Sequence, residues 1–323
     1  MMQHRSKILI LATIPPPIGG VTVHIQRLLQ FLDINGHAYT FIDIRRTPRQ
    51  EILSQIRKHR FIHFHIYHPA IRFLLVLLGT IFGKKMLFTF HGNVGRHSAW
   101  YNLIDQMAFR LAYLPIVLNR ISLEKGLRWN SRTQLISAFI PPQVSEVLTT
   151  DVQAAINNLR SRSGRVYATN ASTVSFDKEG RETYQISLLV KLFSKLDVGL
   201  VIVDPTERYK NYLEQQGYRL TENVLLISGQ QSFFEILKLS DVLLRITTTD
   251  GDALSVKEAL YLQKQVIATN VVDRPVGTVL VPLNETAIIA AIGRLEQQAV
   301  VLPETEQQHG GIAMLDIYRR IVA

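Results

Sequence analysis

The sequence predicts an α/β protein built from two doubly wound halves, each a parallel sheet with helices on both faces. Short apolar runs of strand length alternate with segments of helical periodicity along the whole chain. The alternation pauses once, near the middle, and then restarts, which indicates two domains. The length of 323 residues agrees with this division, because a domain takes roughly 100–200 residues.

In the first half, short apolar runs of the kind buried in parallel sheets alternate with helical segments. The predicted strands are 7–13, 38–44, 61–67, 85–90 and 113–119, and the predicted helices are 21–36, 68–83 and 98–112. After 138–142 the pattern gives way to a more polar segment, 145–164, which we interpret as a hinge region. We therefore place the domains at 1–150 and 151–323.

The second half repeats the alternation. Its predicted strands are 165–172, 198–204, 223–228, 241–246 and 265–270, and its predicted helices are 183–196, 207–218, 231–240 and a helix that begins within 247–260. The final segment, 312–323, reads as an amphipathic helix that we expect to pack back on the first domain. Ligands of doubly wound folds bind beyond the carboxyl ends of the strands, so we expect a central cleft that both domains face.

The net charge of +10 is unevenly distributed. Residues 1–150 contain 18 Lys and Arg against 6 Asp and Glu, whereas residues 151–323 contain 18 against 20. A basic first half suits an anionic partner such as a phosphate-bearing substrate, lipid headgroups or nucleic acid. Nucleic acid is disfavoured, because no basic motif interleaved with aromatic residues is present. The alternative is that these charges form an ordinary solvated surface.

Three features are typical of a cytoplasmic protein, and the basic first half favours peripheral contact with the inner face of the membrane. The absence of cysteine excludes disulfides and thiolate metal sites and fits a reducing compartment. The first apolar run is short and leads into three prolines, unlike a signal peptide. The longest apolar run, 73–83, has about half of the roughly 20 residues of a spanning helix. We expect it to form a core helix, with partial membrane contact as the alternative.

The turn after the first predicted strand, IPPPIGGVTVH (14–24), is a candidate binding loop. Gly19 and Gly20 would let backbone approach a ligand closely, and the helix that follows offers N–H groups to an anion. The stretch is not the GxGxxG fingerprint of dinucleotide-binding proteins. A tight strand-to-helix turn is the alternative.

Histidines mark the ends of two predicted strands. In FTFHGNVGRH (88–97), His91 follows a strand and precedes a glycine, so it is expected to face the cleft, where imidazole can donate or accept a proton. A structural hydrogen bond is the alternative. In FIHFHIYH (61–68), His63 and His65 share one face of a strand, with His68 beyond it. We favour a structural role for these histidines, as polar side chains packed on the sheet, over a metal site, because no carboxylate or cysteine lies close in sequence.

The segment TTTDGDALSVKEAL (247–260) places Asp250 and Glu258 eight residues apart across a turn and a helix start. Two such carboxylates could hold vicinal hydroxyls, and the backbone N–H groups at the helix start could hold phosphate. Those N–H groups belong to Ala253, Leu254 and Ser255. The alternative is a capping box, in which Glu258 bonds only the N–H of Ser255.

Two basic residues follow the first predicted strand of the second half, in SFDKEGRET (175–183). Lys178 and Arg181 are candidates to neutralise a diphosphate. A solvated charged loop is the alternative.

Four stretches together resemble family-4 type glycosyltransferases of the GT-B fold. They are GGVTVHIQRLLQFLDINGH (19–37), TFHGN (89–93), QLISAFIPP (134–142) and RITTTDGDALSVKEALYLQKQVIATNVVDRPVG (245–277). The last is similar to the E-x7-E region of these enzymes, and most similar to a subgroup from polysaccharide biosynthesis. The resemblance covers nearly the whole chain, in order.

The resemblance implies a hexosyltransferase-type enzyme that moves a sugar from a nucleotide-sugar to an acceptor hydroxyl, with retention and without a metal or other cofactor. The donor, a UDP- or GDP-sugar, would bind the second half, and the acceptor, a glycan or lipid-linked glycan of a surface polysaccharide, the first. Glu258 would hold the ribose, Asp250 the transferred sugar, Gly20 would lie near the phosphates, and His91 would bond the sugar near the reacting carbon.

The sequence departs from this family's pattern at two points. Asp250 stands where the family has Glu, and the usual Arg and Lys pair for the diphosphate is not evident after the first strand of the second half. Two alternatives therefore stay open: a GT-B sugar-nucleotide epimerase, and a non-catalytic nucleotide-sugar-binding assembly protein.

Overall fold

The computed structural model describes residues 7–297 and 309–322 and confirms the α/β fold class. The chain forms two compact units. The N-terminal unit comprises Met1–Gln143 and Gln308–Ala323, and the C-terminal unit comprises Val144–Gln307. The division lies seven residues before the predicted one because Leu148 already packs on the core of the C-terminal unit.

The N-terminal unit contains a six-stranded parallel sheet in the order β2-β1-β3-β4-β5-β6. The strands are β1 Ile8–Ala12, β2 Tyr39–Asp43, β3 Phe61–Phe64, β4 Lys85–Phe90, β5 Leu114–Val117 and β6 Gln134–Leu135, and the helices between them are α1 Gly20–Ile34, α2 Arg49–Lys58, α3 Pro69–Ile81, α4 Ala99–Leu111 and α5 Arg120–Trp129. The sequence did not predict α2 or α5. Helix α2 buries no residue completely, and α5 buries only Ser122 and Gly126. Their apolar contacts with the core come from partly buried side chains, Ile52 and Ile56 of α2 and Leu123 and Trp129 of α5.

Side chains of β1 alternate between two cores, as a central parallel strand requires. Ile8 and Ile10 pack on the side of α1, whereas Leu9 and Leu11 pack on the opposite side, with Val76 of α3. The chain reverses its direction across this sheet between β1 and β3. Ligands of doubly wound sheets bind at the carboxyl ends of the strands beside such a point.

The C-terminal unit contains a second six-stranded parallel sheet, in the order β12-β11-β10-β7-β8-β9. Its strands are β7 Val166–Asn170, β8 Gly199–Asp204, β9 Val224–Ser228, β10 Val242–Arg245, β11 Gln265–Thr269 and β12 Thr278–Val281, and its helices are α6 Thr150–Ser163, α7 Ile186–Phe193, α8 Tyr209–Gln215, α9 Phe233–Lys238, α10 Leu254–Tyr261 and α11 Glu285–Gln297. The chain reverses its direction between β7 and β10, which places the expected ligand position at their carboxyl ends.

Three segments of the C-terminal unit differ from the sequence prediction. The segment interpreted as a hinge contains α6, whose Ile156 and Leu159 are buried in the core. Strand β12 and helix α11 were not predicted. Strand β12 has four residues and lies at the edge of the sheet, and only Val281 among them is buried.

The C-terminal helix, α12 Gly310–Val322, belongs to the N-terminal unit. Its Met314, Leu315 and Tyr318 are buried in the same core as α1. Across the described part of the chain, no helix has the length and apolar character needed to cross a membrane.

Candidate functional site

Arg245 ends β10 and carries its charge to the point where the C-terminal sheet reverses. Its Nη1 lies 3.4 Å from the backbone oxygen of Asn170, the last residue of β7. Its guanidinium group lies 5.2 Å from the ring centre of Tyr184. A charged residue at the end of an otherwise apolar strand is thus held between the two strands that flank the expected ligand position.

Asp250 is the counter-ion of two arginines. Arg245 grips it with both arms of the guanidinium fork, Nε at 2.8 Å from Oδ2 and Nη2 at 2.9 Å from Oδ1. Arg274, from the loop after β11, donates through Nη1 to Oδ2 at 2.9 Å. All three side chains are at least nine-tenths buried. The cluster therefore places two guanidinium groups against one carboxylate.

The pKa of Asp250 reflects this arrangement. Burial alone would raise that pKa, but the charges and hydrogen bonds of Arg245 and Arg274 outweigh burial and lower the pKa of Asp250 to about 2. The carboxylate is therefore ionised at neutral pH. Its role in the unit is to hold both arginines in place.

Arg274 has hydrogen-bonding capacity left over. Its Nη2 atom is buried and donates to no group in residues 7–297 and 309–322. A buried guanidinium nitrogen without an acceptor costs free energy, and an anionic oxygen would satisfy it. Together with its excess of positive charge, the cluster is suited to hold a phosphate.

Helix α10 does not begin with the capping box that the sequence allowed. Its first residue is Leu254 and its N-cap is Ala253, which has no side chain to cap the helix. Ser255 therefore lies inside the first turn. The capping interpretation of Glu258 was wrong, because that motif requires serine at the N-cap. Ser255 and Glu258 are both buried at the helix that follows the arginine cluster.

Lys178 and Arg181 lie in an exposed hairpin closed by a bridge between Phe176 and Glu182. Arg181 pairs with Asp177 through Nε at 2.8 Å and with Glu179 through Nη2 at 3.3 Å. Its charge is thus balanced locally. The buried cations of this unit are Arg245 and Arg274, which the sequence argument did not single out. The sequence signal that could have pointed to Arg245 is its positive charge within the apolar run DVLLRI.

In the N-terminal unit, Gly20 begins α1 and Gly19 is its N-cap. The N–H of Gly19 donates to Thr22 Oγ1 at 3.0 Å. Gly19 has extended backbone, and a Cβ added at Gly20 would meet nothing within 4 Å. Neither backbone strain nor packing in the unit explains glycine at these positions. Open space above the backbone is what close approach of a ligand needs.

Four histidine rings gather at the carboxyl ends of β3 and β4. His63 lies in β3, His65 follows it, His91 follows β4, and His24 comes from α1. Neighbouring ring centres are 4.3–5.7 Å apart. The Nδ1 of His63 lies 2.5 Å from Tyr318 Oη, and its Nε2 lies 2.9 Å from Thr89 Oγ1. His63 is thus a structural group inside the sheet.

His65 and His91 share a hydrogen bond, with Nδ1 of His65 2.8 Å from Nε2 of His91. Burial lowers the pKa of both imidazoles well below the usual value, and neighbouring positive charges lower it further. Both rings are therefore neutral at pH 7, and a single proton lies between them. The Nε2 of His65 is buried without a partner among the described residues.

The position of that proton follows from the environment of His65. A proton on its Nε2 would be a buried donor without an acceptor, which is costly. We infer that the proton lies on Nδ1 of His65 and is donated to His91. His91 then carries its own proton on Nδ1, which makes no hydrogen bond within the part of the chain that the structure describes. His91 can therefore donate a hydrogen bond to a ligand.

These histidines do not form a metal centre. His68 caps α3 and its ring contacts Tyr101 instead of His63 or His65. In residues 7–297 and 309–322, no three His, Cys, Asp or Glu side chains lie as a metal site requires.

Nearly the whole chain is similar in fold to several solved structures. HepE from Anabaena, in complex with UDP-glucose, is 12% identical, with a TM-score of 0.70 over 98% of this chain and 99% of that chain. Sucrose-phosphate synthase from Thermosynechococcus elongatus is 16% identical, with a TM-score of 0.68 over 98% and 99%. UDP-GlcNAc 2-epimerase from Methanocaldococcus jannaschii is 12% identical, with a TM-score of 0.58 over 97% and 99%.

No protein-family model and no curated protein sequence matches the chain. The structural similarity establishes the fold. The chain has the GT-B fold, as the resemblance in the sequence implied.

Proposed function

We propose that this protein is a glycosyltransferase that moves a sugar from a nucleotide-sugar to an acceptor hydroxyl. The observation that carries the proposal is the buried cluster of Arg245, Asp250 and Arg274 at the point where the C-terminal sheet reverses. Breaking a glycosyl–phosphate bond builds negative charge on the departing diphosphate. Fixed cations that are already desolvated and oriented stabilise such charge well.

The donor-binding roles fall to the C-terminal unit. Arg245 and Arg274 would contact the diphosphate, and the N–H groups of Ala253, Leu254 and Ser255 at the start of α10 would bind its oxygens. Glu258 would accept hydrogen bonds from the ribose. Lys178 and Arg181 would contribute only long-range positive charge, because they lie in the exposed hairpin.

Asp250 differs from the role that the resemblance implies. Both of its oxygens already accept hydrogen bonds from arginines, and Oδ1 also accepts from the N–H of Gly251 at 2.9 Å. We propose that it acts through Arg245 and Arg274 as a positioning residue. This arrangement gives a reason for the shorter side chain, which ends where the two guanidinium groups meet.

In the N-terminal unit, His91 would donate its Nδ1 proton to a hydroxyl of the transferred sugar. The open backbone at Gly19 and Gly20 would lie against the donor phosphates. Family-4 membership, retention at the anomeric carbon and independence of metal belong to the same proposal and come from the resemblance of the four sequence stretches.

The acceptor would be a lipid-linked glycan in surface polysaccharide biosynthesis, used at the cytoplasmic face of a membrane. The excess of 18 basic over 6 acidic residues in 1–150 supports an anionic acceptor and membrane contact.

A sugar-nucleotide epimerase is the second candidate, favoured by the similarity to the archaeal 2-epimerase. A non-catalytic nucleotide-sugar-binding assembly protein is the third candidate, and it depends on the absence of an Arg and Lys pair after the first strand of the second half. Arg245 and Arg274 favour catalysis over it, because they supply two buried cations at another position.

The test begins with a thermal-shift screen against UDP-, GDP-, dTDP- and CMP-sugars, since a ligand that binds the native state raises the melting temperature. The donor that binds is then incubated in labelled form with lipid-linked acceptors. Label in the lipid fraction supports transfer, whereas a new sugar still attached to the nucleotide indicates epimerisation. If no nucleotide-sugar raises the melting temperature, the proposal is wrong.

A further inference from the structure

The outer face of α3 is an uncovered apolar stripe. Ile71, Leu74, Leu78 and Ile81 are spaced by three or four residues, so they lie on one side of the helix, and Phe82 continues the stripe. These five side chains are 43–71% exposed. The opposite side of α3 buries Val76 in the core.

Helix α4 extends this apolar surface. It packs beside α3 and buries Ala108 and Phe109 on its inner side. Its outer side exposes Trp100, Leu103 and Leu111. We refer to Ile71, Leu74, Leu78, Ile81, Phe82, Trp100, Leu103 and Leu111 as the α3–α4 face. Exposed apolar side chains on two neighbouring helices often mark an interaction site.

The charge around the α3–α4 face is one-sided. From Pro69 to Leu111, the span of α3 and α4, the chain has five Lys and Arg and a single acid, Asp105. That acid is buried and paired with Arg72, so this segment offers no exposed carboxylate. The cations near the end of α3 include Arg57, Lys84 and Lys85, and Lys84 Nζ donates to the backbone oxygen of Arg57 at 2.6 Å.

We propose that the α3–α4 face docks on an anionic lipid bilayer, with the two helices lying along the interface. Apolar side chains would enter the boundary between headgroups and acyl chains, and the surrounding cations would contact anionic headgroups. A protein partner would need an apolar surface with acidic residues around it. A bilayer that contains anionic lipid offers an apolar interior and a negatively charged surface, and it can match an apolar face of any size. This proposal gives the membrane contact of the proposed function a defined surface.

The two tryptophans allow a direct test. Trp100 belongs to the α3–α4 face, whereas Trp129 lies in α5, with its ring 5.5 Å from that of Phe109. In a Trp129→Phe variant, we expect vesicles of phosphatidylcholine and phosphatidylglycerol to shift Trp100 emission to the blue. Brominated acyl chains should quench it. The matched Trp100→Phe variant should show neither effect.

Vesicle sedimentation tests the energetics of docking. The double variant Leu74→Gln, Leu78→Gln should bind anionic vesicles about tenfold or more weakly, because two apolar side chains no longer enter the bilayer. The control Val147→Gln, Leu280→Gln changes two exposed apolar residues of the C-terminal unit and should bind like wild type. High salt should weaken wild-type binding.

Three results would overturn the proposal. In the first, the wild-type protein does not sediment with anionic vesicles. In the second, the double variant Leu74→Gln, Leu78→Gln binds vesicles as tightly as wild type. In the third, the wild type forms a dimer that the double variant does not form, and neither protein binds vesicles. The last would mean that a second copy covers the face. Vesicle binding needs no nucleotide-sugar, so its outcome and that of the transfer assay are independent.

Discussion

Arg245, the last residue of β10, holds Asp250 with two hydrogen bonds of 2.8 and 2.9 Å. Asp250 lies five residues later, in the loop that follows the strand. A bidentate pair of this kind is rigid as well as strong. Arg274 adds a third bond from a loop 24 residues further along the chain. The cluster thus ties three segments of the C-terminal unit together.

Asp250→Asn should lower the free energy of unfolding by about 3 kcal/mol or more, because two buried guanidinium groups would lose their counter-charge. Urea denaturation measures this. The matched control is Glu285→Gln, whose partner Lys191 is exposed, and it should change stability by less than about 1 kcal/mol. Equal effects of the two substitutions would contradict a structural role of Asp250 in the cluster.

Arg274→Gln should reduce sugar transfer by about a hundredfold, because a preoriented donor to the developing charge is removed. Arg245 still holds Asp250 in this variant, so the fold should persist. Arg181→Gln is the control and should lower the transfer rate only slightly, since its charge is already balanced by Asp177 and Glu179. If Arg181→Gln has the larger effect, the hairpin and not the cluster binds the diphosphate.

Glu258→Gln should weaken binding of the nucleotide by removing a charged acceptor from the ribose. The test compares the nucleoside diphosphate found in the screen with its 2′,3′-dideoxy analogue by calorimetry. Wild type should prefer the parent nucleotide by about tenfold or more, since hydrogen bonds to a charged group contribute about 1.5–3 kcal/mol. The variant should show a clearly smaller preference, because its amide oxygen accepts the same hydrogen bonds without the charge. An undiminished preference in Glu258→Gln means that another residue holds the ribose.

His65 should act on catalysis through His91. We expect His65→Leu to lower kcat by about tenfold or more, because His91 would lose the donor that fixes its tautomer. His65→Asn should keep most of the activity, because its amide N–H can replace the Nδ1 donor of imidazole. If the role of His65 is purely structural, the kcat values of the two variants should follow their melting temperatures. If His65 positions His91, His65→Asn should have the higher kcat whatever its melting temperature.

The N-terminal unit should lose stability in mild acid. Burial and, to a smaller extent, the charge of His24 lower the pKa of His63 to about 3. In the unfolded chain this pKa is about 6.5, so below that pH the unfolded state binds the extra proton. The stabilisation is complete above pH 6.5 and is lost as the pH falls toward 3, by about 1.4 kcal/mol per pH unit for this group.

Urea denaturation from neutral pH to about pH 5 measures that slope, and His65 and His91 should add to it because their pKa values are lowered in the same direction. His63→Gln should reduce this slope by the contribution of one proton, about 1.4 kcal/mol per pH unit. A free energy of unfolding that stays constant across this range would show that the rings are protonated in the folded protein.

Much of the fold could be predicted because parallel strands and their helices are local patterns. The run KILILAT is apolar without alternation, as a strand buried on both faces must be, and it contains β1. Elements without such a pattern were missed. Helix α2 buries none of its residues completely, and β12 is a four-residue edge strand in which only Val281 is buried, so each has a weaker apolar signal than the central elements.

The candidate site could be proposed from the sequence only in part. His91 and Glu258 were proposed because one follows a strand and the other follows a turn at a helix start, and both features are visible along the chain. Arg274 was not identified, because its importance comes from its distance to Asp250, which sequence spacing does not contain. The capping-box alternative was wrong for the same reason, because the motif S-x-x-E does not show which residue begins the helix.

The sequence by itself determined the two doubly wound halves, the basic first half and the acids of 247–260, since these follow from composition and periodicity. Only the tertiary structure decided that Asp250 is the counter-ion of two arginines, that His65 lies within hydrogen-bond distance of His91, and that α3 leaves its outer face uncovered. Each of these depends on the strand order, which brings residues far apart in sequence within hydrogen-bond distance or leaves a helix face without a neighbour. Local pattern selects the elements, and their packing selects which side chains meet.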